Sequence, residues 1–419
     1  GSRQPAFQVG RRGQIAEGTA MEKGDAPALR RVVTGIDAMG RSKVVWDGPA
    51  PNSRQMDPAN PSLLSDIWVW KECPAPLCGE SDDSFMPYEF PCPPGGGPVR
   101  TIRSVGKPAN YDPARDAGAV PLHEPKTLPS GRTWDRGGRN AYTTDMHKTR
   151  SIDYAIEIRG SRDLGMDDGR YTINPGDIVV QVGAWHQWVR EGGESTMMYD
   201  MFDADFVDGP VGLAQGDDAV MSFDGRTLPP GAKPARRLVT IDREPWKGTR
   251  LTDGPAPDIR TDPARPGFMV SRLWVTDSTP AKIVRETLHL PHTIEPPVKG
   301  SVLRVYNFPP DSTWQGRVGK GEVDAYFRSM GSPGASTWSS ASPHPYMQKT
   351  RSLDICVVLE GEITLVLDTQ EVSLAAGDIV VQRGTNHAWS NRSGKLVRIL
   401  YVLMDGEFDD ELGARFKAK

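Results

Sequence analysis

The sequence predicts an all-β protein made of two like halves, each an antiparallel sandwich or barrel, with few short helices. Three observations carry that reading: the chain repeats itself, its apolar residues fall in short β-branched runs between turn residues, and 3.6-residue periodicity is scarce. At 419 residues there is length for two or more domains with their own cores. The 44 glycines and 37 prolines exceed average usage but lack the number and period of collagen or a disordered chain, so they imply many turns.

The repeat comes first because it sets the architecture. Arg30-Arg31-Val32-Val33-Thr34 returns as Arg236-Arg237-Leu238-Val239-Thr240, and Asp47-Gly48-Pro49-Ala50-Pro51 returns as Asp253-Gly254-Pro255-Ala256-Pro257, both offset by 206. Met146-His147-Lys148-Thr149-Arg150-Ser151-Ile152-Asp153 matches Met347-Gln348-Lys349-Thr350-Arg351-Ser352-Leu353-Asp354, and Pro175-Gly176-Asp177-Ile178-Val179-Val180-Gln181 matches Ala376-Gly377-Asp378-Ile379-Val380-Val381-Gln382, both offset by 201. Four separated, ungapped blocks read as duplication of one fold. The chain then divides into an N-terminal extension (1–29), a first domain (30–207), an exposed Gly/Pro/Asp-rich linker (208–235), a second domain (236–408) and a tail (409–419).

In the second half the aliphatic runs 352–359, 362–368, 378–382, 387–391 and 396–404 are expected strands. The intervening Glu360-Gly361-Glu362 and Asp368-Thr369-Gln370 are short enough for hairpins, which favours antiparallel pairing over βαβ units. Residues 409–419 are the best candidate for a short helix. Gly176 and Gly377 fit tight turns that need positive φ, and the arginine pairs 30/31 and 236/237 are expected in surface salt bridges.

Lys and Arg number 50 against 54 Asp and Glu, a net charge of −4, and no basic stretch suits a phosphate backbone, so nucleic acid is not an expected partner. No apolar run approaches the ~20 residues of a membrane-spanning helix. The N-terminus has no basic segment followed by an apolar one, and the expectation is a soluble, cytoplasmic protein. Cys73, Cys78 and Cys92 share a Pro/Gly-rich loop, but C-x4-C-x13-C is not a familiar zinc spacing. Free thiols or one local disulfide are expected there.

Alternate residues of a strand share a face, so His147, Thr149, Ser151, Asp153, Ala155 and Glu157 point the same way in a regular strand. His186 enters from a later strand after Val182-Gly183-Ala184-Trp185. Two imidazoles and a carboxylate have the composition of a 2-His-1-carboxylate metal site.

These paired motifs, a His-containing strand, a Pro-Gly-Asp turn and Gly-x-x-His, resemble the cupin superfamily, and the repeat makes the chain similar to a bicupin of two double-stranded β-helix (jelly-roll) barrels. The pattern Thr-x-Ser-(Ile/Leu)-Asp followed by Gly-Asp-Ile-Val-Val-Gln-x-Gly and His resembles in particular small cupins of aromatic or polyketide metabolism, some of them oxidoreductases. Carried over, the resemblance places His147 at the first histidine of the cupin motif, Thr149 at the second, Asp153 at the acid and His186 at the last histidine. In the second half Gln348, Thr350, Asp354 and His387 take those places, with His344 a substitute ligand for the lost histidine. That half looks degraded, and its inward face carries Cys356 and Val358 in place of Ala155 and Glu157.

The resemblance implies a metal-dependent oxygenase acting on a small aromatic or enolic compound in the first barrel. His147, Asp153 and His186 would bind the metal, Fe(II) by preference, with zinc or manganese as alternatives. Glu157 or Thr149 would assist proton movement, and Trp185 and Trp188 would wall the substrate. Two other readings stay open: a lyase, isomerase or cyclase using His/Asp acid–base chemistry without metal or with zinc, and a non-catalytic small-molecule binder. The bland counterpart for His147 and His186 is a pair of interior histidines satisfied by Asp153 and Thr149. Glu157, near the strand end before Gly160, has solvent exposure as its alternative, and Asp200 is a further acid that more often pairs with an arginine. A homodimer, including one that exchanges N-terminal segments, is expected from the resemblance alone.

Overall fold

The structure, a computed structural model, describes residues 28–57, 60–77, 82–85, 92–207 and 220–408. Cys78, the helix expected over 409–419, nearly all of the 1–29 extension and the first part of the linker lie outside the described residues.

The chain is all-β in character, built on two large sheets that follow the same strand order. One sheet runs Lys247–Pro255, Arg236–Glu244, Ile178–Val182, Ser151–Arg159, Ser195–Phe206, Gly97–Ser104, Asn60–Trp70, Asn52–Asp57. The other runs Ser42–Pro49, Arg30–Ile36, Ile379–Arg383, Ser352–Glu360, Val397–Glu407, Ser301–Phe308, Met269–Thr276, Asp258–Thr261. A three-stranded sheet closes each sandwich: Gly169–Ile173, Arg162–Met166 and Gln187–Val189 in the first half, and Glu371–Ala375, Glu362–Leu367 and His387–Ser390 in the second.

Each large sheet takes its outer two strands from the other half of the chain. Arg30–Ile36 lies parallel to Ile379–Arg383, with Val32 opposite Val380, and Arg236–Glu244 lies parallel to Ile178–Val182, with Leu238 opposite Val179. The two halves of one chain thus exchange strands with each other. Shorter strands repeat the crossing, since Ala75–Pro76 pairs with Val397–Glu407 and Ala281–Ile283 with Ser195–Phe206.

Strand alternation sorts the side chains. On Ser151–Arg159, Ile152, Tyr154 and Ile156 join Leu353, Ile355 and Val357 in the core between the two large sheets, whereas Ala155 faces the first barrel interior with Leu164, Trp188 and Tyr199. That central core removes much apolar area from water and is the main reason for the two barrels to stay together.

Gly176 and Gly377 have φ of +83° and +96°, as their turns require. Asp368-Thr369-Gln370 closes a true hairpin, with the Leu367 amide donating to the Gln370 carbonyl at 2.9 Å. Gly361 instead turns a corner, because the strands on either side of it belong to different sheets. The arginine pairs also divide: Arg30 and Arg236 make partly exposed bridges to Asp47 and Asp253, while Arg31 and Arg237 are fully buried against Asp82 and Glu286. Strand alternation points the second arginine of each pair inward. Helix Lys320–Ser329 has no counterpart in the expectations, although Val323, Tyr326, Phe327 and Met330 mark one buried helical face. Among the described residues Cys73, Cys92 and Cys356 are free thiols, and no helix is long and apolar enough to cross a membrane.

Candidate functional site

The first barrel holds a cavity of about 430 Å³, within the size range of small-molecule sites. Its lining follows from strand periodicity. His186, Trp188 and Arg190 share one face, as do Arg100, Ile102 and Ser104, and as do Tyr199 and Met201.

His147 and His186 meet directly across this wall. Their backbones exchange two hydrogen bonds, each 2.9 Å, and their ring centroids stand 4.4 Å apart. His147 Nδ1 lies 2.7 Å from the Asp145 carbonyl and His186 Nδ1 2.8 Å from the Ala184 carbonyl. A carbonyl only accepts, so both Nδ1 atoms carry the proton and both Nε2 atoms keep a lone pair. The backbone, not Asp153 or Thr149, therefore fixes these rings. Burial holds His147 below its usual value, opposed by the Asp145 carbonyl and the charges of Asp145 and Asp135. Burial drives His186 much further down, helped by its neighbour His147.

Asp153 lies on the same cavity wall but belongs to a hydroxyl line. Thr149 Oγ1 is 2.6 Å from Ser151 Oγ and donates to Asp153 Oδ2 at 3.4 Å, while Asp153 Oδ1 has no hydrogen-bond partner among the described residues. Burial raises the Asp153 carboxyl to about 7, against the hydroxyls of Ser151 and Thr149. Gln181 sits directly opposite Asp153 in the neighbouring strand.

The expected metal set does not assemble. Among the described residues no three His, Cys, Asp or Glu side chains come close enough together to hold a metal ion, so His147, Asp153 and His186 do not fit a three-ligand centre.

Three further expectations are corrected. Glu157 neither reaches solvent nor lines the cavity; it is 0% exposed, and burial raises its carboxyl to about 8 while Arg162 opposes. Trp185 faces away from the cavity and packs with Trp134 and Met146, because it directly precedes the inward-pointing His186 and neighbours along an extended chain point to opposite sides. Asp200 faces outward by the same alternation, opposite Tyr154 in the central core, and among the described residues neither of its oxygens has a hydrogen-bond partner or an arginine.

In the second barrel Gln348, Thr350, Asp354 and His387 line a cavity of only about 40 Å³, room for little more than water. Gln348 Nε2 lies 3.3 Å from His387 Nε2, and burial lifts Asp354 to about 8 and lowers His387 to about 4. His344 does not substitute as a ligand. It lies outside that cavity, with Nδ1 accepting from the Tyr346 amide and Nε2 3.6 Å from Asp311. The closure comes from Arg265, whose guanidinium stands 3.8 Å from the Phe268 ring centre, 3.6 Å from Tyr346 and 4.4 Å from Tyr326. Tyr326 comes from the helix Lys320–Ser329.

The crossed strand from the second half braces the first site. Asp242 accepts from Lys148 Nζ at 2.5 Å and from the Trp185 amide at 2.9 Å, thereby gripping the residues next to His147 and His186. Asp242, together with the cavity arginines Arg100, Arg162 and Arg190, escaped the sequence reading. The alternation that placed Trp188 beside His186 extends to Arg190 and was the available signal.

Residues 339–403 match the cupin domain family. The chain carries a cupin domain. The matched cupin segment lies in the second half, whereas the roomy cavity lies in the first. Phomopsin biosynthesis cluster protein C′ of Diaporthe leptostromiformis is 48% identical over 71 residues, 16% of this chain and 38% of that protein. Oryzines biosynthesis cluster protein J of Aspergillus oryzae is 42% identical over 65 residues, 15% of this chain and 36% of that protein. The cupin-domain-containing oxidoreductase virC of Hypocrea virens is 40% identical over 63 residues, 14% and 32% of the two chains. The match thus spans well under half the length of these relatives. Among solved structures, a putative glyoxylate-induced protein from Pseudomonas aeruginosa aligns over 96% of both chains at 11% identity with a TM-score of 0.35.

Proposed function

We propose that the chain is a tandem cupin enzyme whose first barrel moves protons on a small enolic or aromatic compound, with His147 as base and Asp153 as acid. One observation carries the reading: two imidazoles with free Nε2 lone pairs share a cavity of about 430 Å³ with a carboxyl raised to about 7. Near pH 7 His147, held below its usual value, is a neutral base, and Asp153 at about 7 keeps its proton in part of the molecules, as such chemistry needs.

His147 is the better base of the two, because Asp145 and Asp135 favour its imidazolium, whereas His186 is held far down. His147 Nε2 takes a proton from an acidic C–H or O–H. The electron pair shifts through the conjugated system, and Asp153 gives its proton to the other end. The product is an isomer of the substrate, and solvent exchange restores both groups. Thr149 and Ser151 lie in line to relay the proton to Asp153.

The test is deuterium uptake by a panel of small enols and 2-oxo acids in D2O. Wild type should exchange one position, and His147→Gln should slow that exchange by about 100-fold or more, the scale of a lost general base. Exchange by the variant at the wild-type rate would defeat the assignment.

A second reading is the cupin oxygenase with Fe(II), zinc or manganese that the sequence resemblance implies; the names of virC and of the cupin-domain-containing oxidoreductase fogC of Aspergillus ruber support its redox character alone. Element analysis of His186→Ala and His387→Ala separates the two. A selective loss of metal from the first variant supports the oxygenase, while metal-free protein that still exchanges deuterium supports the proton-transfer reading.

A further inference from the structure

Among the described residues no carboxylate pairs with Arg162 or Arg190, two arginines of the first cavity. Arg162 is 3% exposed and Arg190 is half-buried, and both line the cavity. Arg162 donates to Ser195 Oγ at 3.0 Å, Tyr199 Oη at 3.1 Å, the Ile102 carbonyl at 3.2 Å and Ser104 Oγ at 3.3 Å. Arg190 donates to Ser62 Oγ at 3.2 Å, Ser104 Oγ at 3.4 Å and the Ala141 carbonyl at 2.8 Å. Every one of these acceptors is a neutral oxygen.

The contrast within the chain is sharp. Arg31, Arg237, Arg265 and Arg272 are buried arginines too, and each holds a carboxylate at 2.9 Å or less. A buried guanidinium without a counter-ion is costly unless something supplies the negative charge. Glu157 does not supply it, since burial keeps its carboxyl at about 8 and so mainly protonated at neutral pH. The two arginines also oppose one another: burial lowers Arg190, and the charge of Arg162 lowers it further. Arg304 of the second barrel also hydrogen-bonds a carbonyl, that of Ile294, but its cavity of about 40 Å³ has no space for a ligand.

We propose that Arg162 and Arg190 form an anion clamp in the first barrel and that the ligand of this cavity carries a carboxylate. Two forks converging on the shared Ser104 hydroxyl suit the two oxygens of a carboxylate. Leu64, Ile102, Trp188 and Met201 line the rest of the space and fit a flat, apolar body. The class is therefore a small carboxylic acid with an enolic or aromatic frame. This inference rests on the reading of the first cavity as the working site, and it names the substrate class.

Titration calorimetry with benzoate and salicylate against benzamide and salicylamide, at pH 7 and low salt, tests it. The acids should bind at least about 10-fold more tightly than the matching amides, the scale of one charge-assisted hydrogen bond. Arg190→Gln should bring that acid-to-amide ratio towards one, and Arg190→Lys, which keeps the charge without the fork, should fall between. Arg162 is so enclosed that Arg162→Gln would need a thermal melt first, but the Arg190 variants decide the matter without it. Equal binding of acids and amides, no binding of either acid at millimolar concentration, or an unchanged ratio in Arg190→Gln would each overturn the clamp. Carboxylate selectivity without deuterium exchange would retain the clamp and sink the catalytic reading; exchange on neutral enols with no preference for acids would do the reverse.

Discussion

Asp242→Ala should loosen the first site from the opposite half of the chain. Asp242 sits on the crossed strand Arg236–Glu244, 2.5 Å from Lys148, and the two side chains are 1% and 2% exposed. Truncation leaves an ammonium buried without its partner, a loss of roughly 3–5 kcal/mol. The Trp185 amide, now 2.9 Å from Asp242 Oδ1, loses its acceptor as well. On a barrel-sized cooperative unit this corresponds to a drop of roughly 6–20 °C in melting temperature. Thermal melts followed by near-ultraviolet circular dichroism read it directly, and a double-mutant cycle with Lys148→Met isolates the ion pair. Removing both charges together should recover a large part of the loss, because no unpaired ion then remains. A loss below about 1 kcal/mol in Asp242→Ala, additive with Lys148→Met, would refute the view that this pair braces the site.

Two other outcomes follow from the same geometry. The folded-state value of about 7 for Asp153 lies above the ordinary carboxyl value of about 3.9, so its proton favours the fold at low pH, and that stability is lost as pH rises from about 4 through about 7. Asp153→Asn should flatten this part of the stability profile, worth roughly 4 kcal/mol at most; urea titrations between pH 4 and 8 check it, and parallel profiles for variant and wild type would reject it. In Gly248→Ala the new Cβ would stand 1.9 Å from the Trp185 carbonyl oxygen, forcing the crossed hairpin away at a cost of roughly 1–3 kcal/mol. A melting temperature equal to wild type would show that the hairpin is not seated as described.

The strands were legible because their signal is local. Alternation of apolar and polar residues along 151–159 and 352–360 sets which side chains point inward, whatever the strand pairs with. The same rule, applied one residue at a time from His186, separates Trp188 from Trp185 and reaches Arg190. The helix Lys320–Ser329 went unread, although the spacing of Val323, Tyr326, Phe327 and Met330 offered a signal for it. The corner at Gly361 was not, since a short glycine turn serves equally between paired strands and between sheets.

By itself the sequence determined a repeated all-β chain, the inward faces of its strands, and the two histidines of the first half as neighbours in a cupin-like pattern. Only the tertiary structure decided which half each outer strand joins, because the repeated blocks are alike enough to pair with either partner and the choice is made by packing in the central core. It also decided that the second barrel is filled by Arg265 and its aromatic rings while the first stays open around Arg162 and Arg190. Space and unneutralised charge depend on side chains from strands far apart in sequence, and no single stretch of residues records them.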